Sequence, residues 1–138
     1  MTWQFDDKLP IYLQIIHILK QDLACGKYPP GQKLPAVREL ALEAGVNPNT
    51  MQKALSELER DGLLKSQRTA GRFVTEDKEK IMEVRTTLAY DEIARMVDTI
   101  SSLGYHREDI PQLLERFLSS QQSAPLSEQK AGEFPGKF

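Results

Sequence analysis

Hydrophobic residues recur at helical spacing along the first sixty residues of the chain. From Ile11 to Ala24 the apolar positions fall three or four residues apart, so this segment is predicted to form an amphipathic helix. Pro10 suits its start, where a missing N–H costs no hydrogen bond, and Gly26 ends it. A second stripe with the same spacing predicts a short helix over 36–44, and it comprises Val37, Leu40, Ala41 and Ala44.

A third helix is predicted after a tight turn. Gly45 favours a left-handed stop, and Asn47 followed by Pro48 is the pattern of an N-cap residue and a first helical residue. The helix, over 48–61, would bury one stripe that comprises Met51, Ala54, Leu55 and Leu58. A glycine closes it, and the segment 63–75 then predicts a β-hairpin with basic residues at its tip.

Two further helices are predicted after the hairpin. The segment 78–103 carries a long apolar stripe, and a shorter helix is predicted over 107–119. The last residues are rich in Gln, Ser, Pro, Gly and charge and have little to bury, which predicts a disordered tail. The chain is therefore predicted to divide into 1–76, 77–119 and 120–138, and its fold class to be mostly α with a small β-hairpin.

Helix, tight turn, helix and basic hairpin, in that order, describe a winged helix-turn-helix, a module that holds duplex DNA. The face of the 48–61 helix opposite its buried stripe is polar. Asn and Gln can pair with adenine there, and Lys suits guanine or phosphate. The DNA-binding residues are predicted to be Arg38, Asn47, Asn49, Thr50, Gln52, Lys53, Ser56, Arg68, Thr69, Gly71 and Arg72.

Each of these signals also has a purely structural explanation. A polar helix face can simply be solvated, and Arg38 can form a salt bridge with Glu39 or Glu43. Two arginines that bracket a loop tip, here Arg68 and Arg72, are common on protein surfaces. The order of the elements favours DNA binding over these explanations.

Overall charge is unusual for a DNA-binding protein, because the chain carries a net charge of −2. Residues 1–75 contain ten Lys/Arg and eight Asp/Glu, a net of +2. Residues 76–138 contain eight Lys/Arg and twelve Asp/Glu, a net of −4. The first half is therefore only weakly basic, and the local placement of its cations must supply the positive surface.

The sequence gives no support for catalysis, metal binding or a membrane span. Cys25 is the only cysteine, His17 and His106 have no neighbour at metal-ligand spacing, and no phosphate-loop motif occurs. No window approaches 18 uncharged apolar residues, and the N-terminus lacks the layout of a signal peptide. We therefore expect a cytoplasmic protein that is not an enzyme and that uses no cofactor.

Several segments resemble the N-terminal domain of GntR-family bacterial transcription regulators over roughly residues 8–76. They are 10–15 (PIYLQI), 26–35 (GKYPPGQKLP), 34–41 (LPAVRELA), 45–55 (GVNPNTMQKAL) and 58–63 (LERDGL). The resemblance implies a dimer on an operator, with Arg38, the start of the 48–61 helix and the glycine wing touching DNA. Ala36 stands where the family usually has serine, and Pro48 where arginine is frequent.

The C-terminal part resembles the short YtrA-type branch of that family, whose two-helix tail mediates dimerisation. Two helices cannot readily enclose a ligand pocket within one subunit, but their apolar stripes need a partner. The alternative is that the stripe packs back on the DNA-binding domain. The side chains predicted to meet a second copy are Leu88, Ile93, Met96, Val97, Ile100, Leu103, Leu113, Leu114 and Phe117.

These observations predict a sequence-specific DNA-binding transcription regulator. The resemblance implies a homodimeric repressor of a transport or envelope-stress operon, and a two-fold dimer matches an inverted-repeat operator. Two alternatives stay open. One is an effector-sensing switch with an unidentified small molecule at the dimer interface, and the other is a winged-helix module that binds proteins.

Overall fold

Five α-helices, a 3₁₀ turn and one β-hairpin make up the described part of the chain, residues 3–121 of a computed structural model. In order they are α1 (Ile11–Ala24), α2 (Val37–Ala44), α3 (Pro48–Arg60), β1 (Leu64–Gln67), β2 (Gly71–Val74), α4 (Lys78–Ser102), the 3₁₀ turn (Arg107–Asp109) and α5 (Ile110–Ser120). They form two compact units that divide between Tyr90 and Asp91, within α4. The tail predicted over 120–138 lies, from residue 122 onward, outside the described residues.

The core of the first unit is built from the stripes that the spacing predicted. Helices α1, α2 and α3 bury their apolar faces against one another and against the hairpin. Burial of each such side chain contributes about 1.5–3 kcal/mol relative to an exposed one. The largest fully buried side chains are Ile15, Leu19, Leu40, Met51, Leu55, Leu58, Leu64 and Val74.

Local capping explains the turn between α2 and α3. Gly45 adopts a left-handed φ of 71° at the end of α2, where a Cβ would be strained. Asn47 then caps α3, because its side-chain oxygen accepts a hydrogen bond of 2.7 Å from the Asn49 N–H, and Pro48 opens the helix. The predicted capping of this turn is therefore confirmed.

The β-hairpin also pairs with a segment outside its own two strands, which the sequence did not indicate. In the antiparallel register Leu64 pairs with Val74 and Ser66 with Arg72. The outer edge of β2 also pairs with the segment before α2, where Lys33 bridges Phe73 and the Leu34 N–H donates to the Arg72 carbonyl at 2.9 Å. Residues 32–34 thus act as a third, irregular edge to the sheet.

The lead-in before α1 is also more ordered than predicted. Residues 3–9 have no helix or strand, as expected for an irregular segment. Trp3 and Phe5 nevertheless pack against the core, with their ring centroids 6.1 Å apart. Aromatic side chains bury large apolar areas, so this contact fastens the segment to the first unit.

The predicted fold class, mostly α with a winged helix-turn-helix, is confirmed, and the predicted helix ends need small corrections. Ala36 is not in α2 but precedes it in extended conformation, and Asp61 is the C-cap of α3 rather than its last residue. The predicted 107–119 helix begins as a 3₁₀ turn. Pro111 lacks the N–H that would bond back to the Arg107 carbonyl, so the first turn cannot close as an α-helix.

The second unit comprises the end of α4, the 3₁₀ turn and α5. The backbone N–H of His106 donates to the Asp109 carboxylate at 3.1 Å, which fixes the turn between the two helices. Ile110 is buried, whereas Leu103, Leu114 and Leu118 are exposed. Within residues 3–121, no helix has both the length and the apolar character needed to span a membrane.

Candidate nucleic-acid interface

The first turns of α3 present a polar face. Asn49, Gln52 and Lys53 are exposed, and Thr50 and Ser56 are half-buried on the same helix. Their neighbours Met51, Ala54, Leu55 and Leu58 are fully buried, so the core fixes which side of the helix faces outward. The N-terminus of a helix carries a partial positive charge that attracts phosphate. The polar face and that positive end lie together.

Asn47, which was predicted to contact DNA, is the N-cap residue of α3. Its Oδ1 accepts from the Asn49 backbone N–H at 2.7 Å, which leaves its amide N–H groups for another partner. Capping of this kind stabilises a helix by about 1 kcal/mol. The amide N–H groups of Asn47 therefore remain available as donors to DNA.

Lys53 is held against α1. Its Nζ lies 3.8 Å from the ring centroid of Tyr12, which is the geometry of a cation–π interaction. Lys53 nevertheless stays exposed to solvent. This contact was not predicted from the sequence, because Tyr12 and Lys53 are far apart in the chain and only the packing of α1 on α3 brings them together.

Arg38 projects from the first turn of α2 and is exposed. Neither Glu39 nor Glu43 forms an ion pair with it in the described structure, so the salt bridge considered as an alternative is not formed. A cleft of about 490 Å³ lies between the start of α2 and the wing. Its lining includes Lys33, Ala36, Val37, Thr69, Gly71 and Arg72. Arg38 does not line this cleft, although Val37 and Glu39 on either side of it do, and its exposed guanidinium is available to a phosphate.

The wing tip is the turn between β1 and β2. Arg68 and Thr69 are exposed there, and the Ala70 N–H closes the turn by donating to the Gln67 carbonyl at 3.0 Å. Gly71 follows with a φ of +105°, and a Cβ at that position would lie 3.0 Å from the Lys33 Cε. The tip therefore requires glycine for its backbone conformation, whereas the exposed Lys33 side chain can move to make room for a Cβ.

Arg72 does not flank the wing tip as predicted. Strand alternation places it on the same face as Leu64 and Val74, which turns its side chain toward α3. Its Nε lies 3.1 Å from the Glu59 Oε1, and the Arg72 side chain is only 16% exposed. The positive charge at the tip itself rests on Arg68. Side chains two residues apart on a strand share a face, so the apolar Val74 was the signal in the sequence that Arg72 also faces inward.

Glu59 was not predicted as part of the site. Its carboxylate accepts from the Ser66 hydroxyl at 2.8 Å as well as from Arg72. The Ser66 hydrogen bond, and then the Arg72 hydrogen bond and charge, lower the pKa of Glu59 below its ordinary value. An acidic side chain at this position ties the wing to α3.

A tight turn, a helix with exposed polar first turns, and a hairpin anchored to that helix define the class of winged helix-turn-helix proteins. Proteins of this class insert the second helix of the motif into the major groove of DNA. The arrangement of α2, α3 and the hairpin matches that class element by element.

Comparison with known proteins gives the family. The model for "Bacterial regulatory proteins, gntR family" matches residues 11–74. The uncharacterized HTH-type transcriptional regulator YhcF of Bacillus subtilis (strain 168) is 36% identical over 117 residues, which cover 85% of this chain and 97% of YhcF. The HTH-type transcriptional repressor YtrA of the same organism is 36% identical over 102 residues, which cover 73% of this chain and 78% of YtrA.

Solved structures agree. A GntR family transcriptional regulator from Listeria monocytogenes superposes with a TM-score of 0.74 at 37% identity, over 81% of this chain and 98% of that one. A transcriptional regulator from Oenococcus oeni gives a TM-score of 0.68 at 29% identity, over 83% of this chain and 96% of the other. The chain belongs to the GntR family of bacterial transcription regulators, and its similarity to YtrA fits the short YtrA-type branch. It is a DNA-binding transcription regulator and not an enzyme.

Proposed function

We infer that the chain is a sequence-specific repressor that binds an inverted-repeat operator as a homodimer. The observation that carries this proposal is the exposed polar face on the first turns of α3, set beside a wing that is hydrogen-bonded to the same helix. The residues proposed to face DNA are Arg38, Asn47, Asn49, Thr50, Gln52, Lys53, Ser56, Arg68, Thr69, Gly71 and Arg72.

Most of these residues fall into two groups by what they can contact. Those on α3 have amide, hydroxyl and ammonium groups that suit base edges in the major groove. Arg38 and Arg68 lie outside α3 and have guanidinium groups that suit phosphate or a narrow minor groove. The first group would supply discrimination and the second would fix the position of the protein on the duplex.

The accessible apolar side chains from Leu88 onward support the proposed dimer. None of the nine side chains predicted to meet a partner is buried in the described chain: Leu88, Met96, Val97, Ile100, Leu113 and Phe117 are half-buried, and Ile93, Leu103 and Leu114 are exposed. Apolar side chains left this accessible on two helices favour burial against a second copy. A two-fold dimer would place two α3 helices about 34 Å apart, in successive major grooves.

Repression is proposed on the strength of the relatives. YtrA is named a transcriptional repressor, and this chain covers 78% of its length. The resemblance to the YtrA-type branch further suggests a transport or envelope-stress operon as the target, with the protein acting in the cytoplasm.

Two single substitutions test whether α3 discriminates between bases. Lys53→Ala and Asn49→Ala are expected to weaken operator binding by roughly 1–3 kcal/mol each while changing binding to a scrambled duplex much less. Fluorescence anisotropy titration on both duplexes provides the comparison, with the exposed Lys65→Ala on β1 as a control. Equal losses on both duplexes would show that α3 makes only phosphate contacts.

A further inference from the structure

An aromatic ring from α1 contacts the ammonium group of Lys53 on the polar face of α3. The Lys53 Nζ is 3.8 Å from the centroid of the Tyr12 ring, which is a short distance for a cation–π interaction. Tyr12 lies in the first turn of α1, where it is half-buried and packs against the core. The core therefore fixes the ring, and the ring offers the long Lys53 side chain a fixed surface to contact.

A second lysine–tyrosine pair in the same unit differs in how its charge is balanced. The Lys27 Nζ lies 5.4 Å from the centroid of the Tyr28 ring, and it also lies 3.8 Å from the Asp22 carboxylate. Lys53, in contrast, forms no ion pair with a carboxylate anywhere in residues 3–121. The positive charge of the exposed Lys53 is therefore available to an acceptor on another molecule.

Contact with the ring also changes how readily Lys53 can bind DNA. A lysine ammonium group has three N–H donors, so a ring on one side leaves donors for a base or a phosphate. Immobilising a long side chain at an interface weakens binding by about two- to tenfold. Because the Tyr12 ring already restricts Lys53 in the free protein, part of this loss is avoided when DNA binds.

We propose that Tyr12 is a positioning residue for DNA binding, which holds the Lys53 ammonium group on the polar face of α3 where it donates to an acceptor of the operator. Tyr12 lies on α1, outside the helix-turn-helix, and it acts through Lys53 rather than by touching DNA itself. The inference rests on the proposed function, in which the polar face of α3 binds DNA.

The test is a double-mutant cycle, with the affinity of the full-length protein for its selected operator measured by fluorescence anisotropy. Tyr12→Leu removes the ring but keeps an apolar side chain against the core, and it is expected to weaken binding by about two- to tenfold. The same substitution in a Lys53→Ala background is expected to have no further effect, because Lys53 is the group through which the ring acts. Tyr12→Phe keeps the ring and is the matched control, and it should bind as tightly as the parent.

A spectroscopic measurement on the free protein separates positioning from folding. Protons above the face of an aromatic ring give NMR signals that are shifted upfield, so the Lys53 Hε signals should be shifted in the parent and in Tyr12→Phe but not in Tyr12→Leu. Unshifted signals in the parent, an unchanged affinity in Tyr12→Leu, an equal loss with and without Lys53, or weaker binding by Tyr12→Phe would overturn the inference alone. Absence of any preferred duplex with the parent would instead overturn the proposed function on which it rests.

Discussion

Asp22 is a buried carboxylate near the end of α1, with only 2% of its surface exposed. Its Oδ2 has no hydrogen-bond partner among the described residues, and the Lys27 Nζ lies 3.8 Å away. Burial raises the pKa of Asp22, and the nearby Lys27 charge only partly offsets this effect. A raised pKa in the folded state means that Asp22 favours folding below its unfolded value, about 3.9, and that this contribution is lost as pH rises through the folded value.

Removal of that charge is expected to stabilise the protein at neutral pH. The Asp22→Asn variant should gain about 1 kcal/mol in its free energy of unfolding at pH 7. The buried carboxylate of Asp22 lacks a hydrogen bond at Oδ2, and a neutral amide costs less free energy to bury there. Urea denaturation at pH 7 and pH 4.5 measures the difference, which should shrink at the lower pH. The exposed Asp7→Asn serves as the control, and a less stable Asp22→Asn at pH 7 would contradict this account.

At the scale of elements, the wing depends on its anchor to α3. The pKa of Glu59 is lowered by the Ser66 and Arg72 hydrogen bonds, so this carboxylate stabilises the fold above its unfolded pKa of about 4.3 and the contribution is lost as pH falls through the lowered value. The Glu59 side chain is 36% exposed, so water and salt screen the pair.

The Glu59→Gln variant should therefore show a pH-dependent loss of stability. We expect the free energy of unfolding to fall by no more than about 1 kcal/mol at pH 7 and by less at pH 3, because the contribution of Glu59 decreases as pH falls toward its lowered pKa. Chemical denaturation at both pH values tests this. A loss of the same size at pH 3 would mean that packing of the Glu59 side chain, rather than its charge, stabilises the contact between the wing and α3.

The wing tip should be intolerant of any side chain at Gly71. The Gly71→Ala variant is expected to lose about 1–3 kcal/mol, because its φ of +105° is strained for alanine, whereas the exposed Lys33 side chain can move away from the new Cβ. Gly26→Ala is a matched control, since Gly26 has a φ of +85° but nothing within 4 Å of its Cβ position. Thermal unfolding of both variants isolates the cost of the Lys33 contact, and equal losses would show that backbone strain alone matters.

The elements could be predicted because their signals are local. The spacing of Met51, Leu55 and Leu58 fixes the buried face of α3, and Asn47 followed by Pro48 fixes its start. The Glu59–Arg72 ion pair, the Tyr12–Lys53 contact and the Lys33–Phe73 bridge were missed. Each joins residues on different elements, so it follows from tertiary packing that no local spacing encodes.

At the scale of the whole molecule, the second unit has more apolar surface than a single copy covers. Leu114 is 39% exposed and Leu103 is 55% exposed. Leu103 directly follows α4 and Leu114 lies on α5, while charged residues such as Arg95 and Glu92 form an exposed ion pair on α4. Burial of these apolar faces against a second chain is the basis of the proposed dimer.

A charge placed in this surface should give monomers. The Leu114→Glu variant is expected to shift the mass measured by light scattering from that of a dimer to that of one chain, because an unpaired carboxylate in an apolar interface costs several kcal/mol. Met82→Glu is the control, since Met82 is 55% exposed but lies in the first unit. A dimeric Leu114→Glu protein would place the interface elsewhere.

In the proposed function, the α3 faces of two subunits read one operator. The most direct test is titration of the purified protein on its best selected genomic site at two salt concentrations, with the stoichiometry measured in the same experiment. We predict two subunits on an inverted repeat and an affinity that falls steeply with salt, with a log–log slope near −0.9 for each phosphate neutralised. A folded, dimeric protein with no preferred sequence and no salt dependence would contradict the account and favour a winged helix that binds proteins.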